Sequence, residues 1–445
     1  MDLRQKLARL GPPGPASPGA AAPGDATACV AETLAPLSQA ERLGRLKARL
    51  AEMTAKGVAR ETRTYRPARA AELHDLPGAL ELEAEGAVQV VRHAFPASHR
   101  HGRQEIAVGG VGDGPLVAAL ALDPALAALD PQRFLYLDTE TTGLAGGTGT
   151  LAFLVGLGWF EGGAFVVEQL LLSRLSDEGP LLCRLAARLA AASAIVSFNG
   201  KSFDWPLLRT RFIMNRLAAP RPAHLDLLHT VRRVYRRHLL SLRLKSVEEE
   251  VLGLSRADDI DGASIPPLYW RFLKTGDGGL LQPVLEHNVQ DILALPALLN
   301  RLATGFAGVN ERIAPHEALG FARLALRNDD GARARRFAEV ALAGRAEIAV
   351  SALRLVAVLE VRGHAYQAAA DALHRALTYA APDGTAAASI HLGLAKLYEH
   401  RLGDLDRAVS HAEHTLAAEG AAKRTRRLER LQRRRARQRE RHDVA

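Results

Sequence analysis

The stretch FLYLDTETTGLAGGTGT, Phe134 to Thr150, constrains the fold more than any other. An apolar run long enough for one buried strand ends in Asp138, and Glu140 follows two residues later. Side chains two apart on a strand leave the same side. The two carboxylates are therefore expected to converge where the strand exits. Like charges this close raise each other's pKa unless a cation sits between them. Oxygen donors of this kind suit a hard divalent cation, Mg2+ or Mn2+.

From Arg133 onward the chain reads as mixed α/β. LAFLVGLGWF and AFVVEQLLL are two strands joined by a hairpin turn at EGG. DEGPLLCRLAARLAAA is a helix with an acidic first turn and an early Pro, and AIVSFNG is a fourth strand. SFDWPLLRTRFIMNRL is a helix with Ser202 as its cap. HLDLLHTVRRVYRR begins as a strand and turns helical. Three further helical stretches follow, ending in LLQPVLEHNVQDILALPALLNRL. Upstream, residues 78–117 read as short strands and turns, and Ala40–Met53 as a helix. His99 and His101 fall on one side of a strand there. Zinc sites want a third or fourth ligand, so packed or exposed histidines are the expectation.

Beyond Pro315 the strands vanish. LRLVAVLEVRGHAYQAAADALHRAL and IHLGLAKLYEHRLGDLDRAVSHAEHTL match at Leu359 and Tyr398, Gly363 and Gly403, Ala368 and Ala408. That pattern reads as helix–turn–helix repeats of tetratricopeptide type.

Composition narrows the partners. The net charge is +9, but Lys423 to Arg441 alone holds eleven Lys/Arg against two Glu. The rest is formally neutral, with 47 residues of each sign. The basic excess therefore belongs to one tail. It would bind nucleic acid through counterion release or stand as a solvated helix. No apolar run approaches the ~18 residues of a membrane span. The N-terminus lacks the apolar core of a secretory signal, so a cytoplasmic protein with no membrane partner is expected. Two cysteines, Cys29 and Cys183, cannot build a zinc ribbon or a disulfide framework.

Two further motifs join the first. VSFNGKSFDWPLL sets Asp204 just past a strand and a turn, and LEHNVQDILAL sets His287 and Asp291 four apart on one helix face. DxE, then FNGxxFD, then a late HxxxD resembles the pattern of DEDD-type 3′–5′ exonucleases of ribonuclease H-like fold. More narrowly, the motifs resemble the YprB-like ribonuclease H-like family, over residues 130–302. The resemblance implies that Asp138, Glu140, Asp204 and Asp291 are the four metal-binding carboxylates, holding two Mg2+ or Mn2+ ions. It places His287 where the family has its general base or water-orienting residue. One feature departs from the pattern. The His-type branch sets its His five residues before the last Asp, and the Tyr-type branch a Tyr four before. Here a His stands four before, and one helical position is ~100° of rotation.

The expected fold is thus α/β: a ribonuclease H-like mixed sheet flanked by helices over 130–302, then an all-α tetratricopeptide-like domain over 315–420. Residues 1–30 are expected to be disordered, 31–125 to form a small region of helix and short strands, and 421–445 a basic tail. The loop after Glu140 lacks the Gly-Lys-Ser/Thr ending of a P-loop, which counts against a nucleotide switch. Its better use is close approach to a terminal nucleotide, with Thr141 and Thr148 as hydrogen-bonders. Asn199, Lys201, Arg232 and Arg236 are further candidates for substrate contact, and Arg233 and Arg237 complete the arginine cluster. The expected function is metal-dependent 3′–5′ phosphodiester hydrolysis on a single-stranded 3′ end of DNA or RNA. The rival is a non-catalytic adaptor that binds nucleic acid, or a protein through its helical repeats.

Overall fold

Alternating residues upstream of the apolar runs form β1 (Ala79–Glu83) and β2 (Gly86–Pro96), followed by the two-residue strands β3 (Arg100–His101) and β4 (Gln104–Glu105). The computed structural model describes residues 72–83, 86–106, 113–143, 149–257, 259–308 and 313–443. The expected disordered segment at 1–30, the helix at 40–53 and Thr148 lie outside the described residues.

The apolar runs become β5 (Phe134–Thr141), β6 (Ala152–Glu161), β7 (Ala164–Leu171), β8 (Ala194–Ser197) and β9 (His224–Asp226). The sheet order is β1-β2-β7-β6-β5-β8-β9. β5, β6 and β7 are antiparallel neighbours, whereas β8 and β9 run parallel to β5. Counted from β5, the five strands stand 3-2-1-4-5, and β2 and β1 extend the β7 edge. The hairpin turn is Gly162-Gly163, at φ 59° and 80°. Two successive positive φ values match the twist of the flanking strands and favour glycine.

Both faces of β5 are covered, as an all-apolar run requires. Phe134 and Tyr136 pack into one layer with α1 (Gly114–Ala121), α4 (Leu227–Tyr235) and the long α6 (Gln282–Ala307). Leu135 and Leu137 pack into the other with α2 (Glu178–Ala191), α3 (Asp204–Met214) and α5 (Ile265–Thr275). Each fully buried Leu or Phe contributes roughly 1.5–3 kcal/mol, so the two layers fix β5 at the centre. Asp138 and Glu140 are the first polar residues to leave that core.

One expectation at α3 is corrected. Its N-cap is Phe203, with no side-chain cap, rather than Ser202. The first-turn carboxylate, Asp204, is turned toward β5 instead.

The C-terminal region is all-helical. α7 (Pro315–Arg327) and α8 (Gly331–Ala341) share the core of the first layer through Phe321 and Phe337, which meet Phe306 of α6. α9 (Ala346–Arg362), α10 (Tyr366–Tyr379), α11 (Thr385–Leu397) and α12 (Leu405–Ala412) build a separate core. The repeat alignment slips by one residue. Ala368 is exposed, and Ala369 is the buried residue at the fourth position of α10 that answers Ala408 in α12. The turn before α10 has one residue more, with His364 at φ 60°.

The basic segment is a docked helix, α13 (Ala421–Asp443). Its Leu431 is fully buried. Arg430 and Arg434 pair with Glu399 at 2.7 and 2.9 Å, and Arg427 with Glu419 at 2.8 Å. Much of the charge that suggested nucleic acid is answered inside the fold. Among the described residues no helix is long and apolar enough to cross a membrane.

Candidate active site

The parallel strands β5, β8 and β9 all end at one edge, where ligands of α/β sheets usually bind. β5 delivers Asp138 and Glu140 there. The pairing of β5 with β6 shifts register between Glu140 and Thr141, a bulge that bends the strand at its exit. The turn after β8 delivers Asp204, and α6 crosses the same edge with His287 and Asp291.

The turn that carries Asp204 is held by Asp226 at the end of β9. Its carboxylate accepts from the backbone N–H of Asn199 (2.8 Å), Lys201 (3.1 Å) and Leu228 (3.1 Å). Asn199 takes the left-handed conformation, φ 69°, that lets both turn amides point inward. Asp226 is thus a structural clamp.

Three of the four carboxylates have an internal donor. Thr139 Oγ1 donates to Asp204 Oδ1 at 2.5 Å, and Asn288 Nδ2 to Asp138 Oδ2 at 3.0 Å. Arg256 Nη1 meets Asp291 Oδ1 at 2.7 Å. His287 Nε2 lies 3.8 Å from Glu140 Oε1 and 3.7 Å from Asp291 Oδ2. Asn288 is itself fixed by Gln169, which donates to its Oδ1 at 2.9 Å. Gly156, paired with Asp138 across β6, makes room for it: a Cβ there would stand 2.2 Å from Asn288 Oδ1. Gly156→Ala is therefore expected to cost about 1–3 kcal/mol as an overpacking change, read by urea unfolding. Wild-type stability would contradict the tight fit.

The electrostatics follow from the crowding. Burial, then Asp291, Asp204 and Glu140, raise Asp138 well above the carboxylate range. Burial, with Asp291, Asp204 and Asp259, pushes Glu140 up to about 8. Burial raises Asp204 to about 6 against the Thr139 hydrogen bond, and raises Asp291 against Arg256 and His287. Such a set lacks positive charge.

Sequence reasoning missed the groups around this set. His287 Nδ1 donates to Asp259 Oδ1 at 2.6 Å. Burial opposes ionisation of Asp259, yet the His287 hydrogen bond, with Arg256 and Lys245, holds its pKa below the usual range. With Asp259 ionised, Nδ1 carries the hydrogen and Nε2 is left as an acceptor facing Glu140 and Asp291. Arg256 also bonds Glu248 at 2.7 Å, and Glu248 meets His101 at 2.6 Å. Of the histidines weighed as zinc ligands, His101 is thus buried in a hydrogen bond to Glu248, and His99 packs on Phe95. A cavity of about 350 Å³ opens beside Arg256, Asp259 and His287.

The all-oxygen donor set and its missing positive charge fit divalent cations. The spacing is looser. Among the described residues, the one group of three His, Cys, Asp or Glu side chains with ligand atoms within 4.8 Å of one another is His74, Asp75 and Asp277, at the surface. No three of the four carboxylates meet that spacing. Of the substrate candidates, Thr141 is half-buried and donates to the Gly143 carbonyl (3.0 Å). Lys201, Arg232 and Arg236 are exposed, with no ion pair among the described residues.

Comparison with known proteins agrees with this architecture. Residues 135–303 match the model of the RNase_H superfamily. The uncharacterized protein YprB of Bacillus subtilis (strain 168) is 36% identical over 213 residues, which are 46% of this chain and 50% of that protein. The chain thus spans about half the length of this curated relative. Likeness to solved structures is remote. The family B DNA polymerase from Pyrobaculum calidifontis gives a TM-score of 0.32 at 14% identity, over 54% of this chain and 30% of that one. The APC/C hetero-tetramer Cut9-Hcn1 gives 0.25 at 13%, over 58% and 47%. The segment 135–303, with its 3-2-1-4-5 sheet and the acidic edge of β5, is a ribonuclease H-like domain that matches the RNase_H superfamily model.

Proposed function

We propose that the chain is a metal-dependent phosphodiester hydrolase that removes nucleotides from the 3′ end of a single nucleic-acid strand. The observation that carries this reading is the convergence of four crowded carboxylates with one oriented histidine at the edge of a ribonuclease H-like sheet. Asp138, Glu140, Asp204 and Asp291 would hold two Mg2+ or Mn2+ ions. When bound, these would supply the positive charge that activates water and stabilises the leaving 3′ oxygen.

The remaining roles belong to the chain. His287 Nε2 takes the proton of the attacking water, and Asp259 holds the ring in that tautomer, as a buried carboxylate does for a catalytic histidine. This pairing supports the role despite the four-residue spacing. Lys201, Arg232 and Arg236 would meet backbone phosphates, with Thr141 and Asn199 beside the terminal nucleotide. Residues 130–302 would be the catalytic domain, and the tetratricopeptide-like helices of 315–420 a platform for a protein partner.

Asp259→Asn is expected to slow turnover roughly 10- to 100-fold with little change in KM, read by steady-state digestion. Unchanged turnover would remove Asp259 and the assigned tautomer from the mechanism.

A second reading, the non-catalytic adaptor, draws on the Arg256–Asp291 ion pair, because a guanidinium there neutralises one carboxylate without any metal. Strands labelled at the 5′ or the 3′ end, as DNA and as RNA, separate the two in Mn2+. The hydrolase gives a shrinking ladder from 5′-labelled strands and early release of a 3′ label. Binding with every strand left intact supports the adaptor.

A further inference from the structure

A cavity of about 720 Å³ lies between the end of α4 and the starts of α7 and α9. Its volume falls within the range of small-molecule sites. Arg237, Arg323 and Arg345 line it, with His238, His316 and a single carboxylate, Glu347. None of the three guanidiniums has an ion-pair partner among the described residues. The two imidazoles stack at 3.4 Å between ring centroids. Burial, with Arg237, lowers Arg323 to about 10. Burial, with His238 and Arg301, lowers His316 to about 4. The cavity therefore resists further positive charge and sets three guanidiniums against one carboxylate.

Two further observations bear on its charge. α7 and α9 begin at Ala314 and Arg345 without a side-chain cap, and their first turns line the cavity, each with one carboxylate, Glu317 and Glu347, to answer its dipole. One turn earlier on α4, Arg233 has a buried Nη1 with no partner, and burial with Arg327 lowers its pKa. Arg237 with Arg323, and Arg233 with Arg327, thus set like charges against each other where α4 meets α7, beside the Glu317 that Tyr235 and Arg301 already engage. The lining holds no Phe, Tyr or Trp on which a base could stack.

We propose that this cavity binds a phosphate-bearing anion, recognised through its phosphate groups rather than through a base. The shared chemistry is a phosphate ester or anhydride, from a free pyrophosphate or nucleotide or from the backbone of a bound strand. The proposal does not rest on the hydrolase reading.

The test is calorimetric titration of the full chain at low salt without divalent cations. The probes are inorganic pyrophosphate, a nucleoside 5′-monophosphate and a single-stranded oligonucleotide. Arg323→Gln and Arg345→Glu are compared with Arg375→Glu, an exposed arginine on α10 outside the cavity. Each cavity variant is expected to weaken binding about tenfold or more, and Arg375→Glu to leave it unchanged. Loss of pyrophosphate or nucleotide binding identifies a free ligand. Loss confined to the oligonucleotide identifies a strand. The proposal is overturned if no probe binds, or if the cavity variants bind as wild type or no more weakly than Arg375→Glu. Arg345 is exposed, so its variant keeps the test open should Arg323→Gln fail to fold.

Discussion

Asp138→Asn is expected to abolish hydrolysis and to stabilise the metal-free protein at the same time. Turnover should fall on the order of 10³-fold or more, about 4 kcal/mol in the barrier, because one of four cation ligands loses its charge. The fold should gain roughly 1–3 kcal/mol at pH 8. There the wild-type residue confronts burial and the charges of Asp291, Asp204 and Glu140. Asparagine keeps an oxygen to accept from Asn288 Nδ2, so the packing beside Gly156 survives. Opposite signs for activity and stability mark a functional site kept at the expense of the fold. A variant that loses both would make Asp138 a structural residue. One that keeps activity would remove it from the site.

The second large effect is the pH dependence of the metal-free protein. Glu140 is raised to about 8 and Asp204 to about 6, and Asp138 and Asp291 are also raised. A raised carboxylate binds its proton more tightly folded than unfolded. Its contribution is therefore fully present below the ordinary carboxylate range, near pH 4, and is lost as pH rises toward the folded value. Asp259, lowered by His287, runs the other way and offsets part of this. Above pH 7, where the half-buried His224, His316 and His411 are neutral folded and unfolded alike, the melting temperature should fall by roughly 3–6 °C up to pH 8.5, at about 2–4 °C per kcal/mol. Millimolar Mn2+ should restore most of it at pH 8, because an ion that binds the folded state alone stabilises it. A melting curve flat in pH, or indifferent to Mn2+, would contradict the crowding of these charges.

The strands were legible because each is a short apolar run closed by a turn signal, as in Glu161-Gly162-Gly163. The placement of Asp138, Glu140, Asp204, His287 and Asp291 at one sheet edge was legible because their motifs fall at a strand exit, after a turn and on one helix face. Asp259 and Arg256 were not. They sit on a connecting segment some thirty residues before His287 and Asp291, and only tertiary contact gives them their roles. Asn288 offered a weak signal, an amide on a helix face that is otherwise buried and apolar. The arginines of α13 misled because a charge run shows its own sign and not the Glu399 and Glu419 that answer it. Ala368 misled by one position because the repeat was read from a glycine whose following turn differs in length.

The central claim is that the four carboxylates share divalent cations. Calorimetric titration of Mn2+ into the metal-free wild type and Asp138→Asn tests it most directly. Two equivalents are expected to bind the wild type, drawing Asp291 away from Arg256, and the variant should lose at least one of them. Absence of binding at millimolar Mn2+, or identical isotherms for the two proteins, would contradict the account.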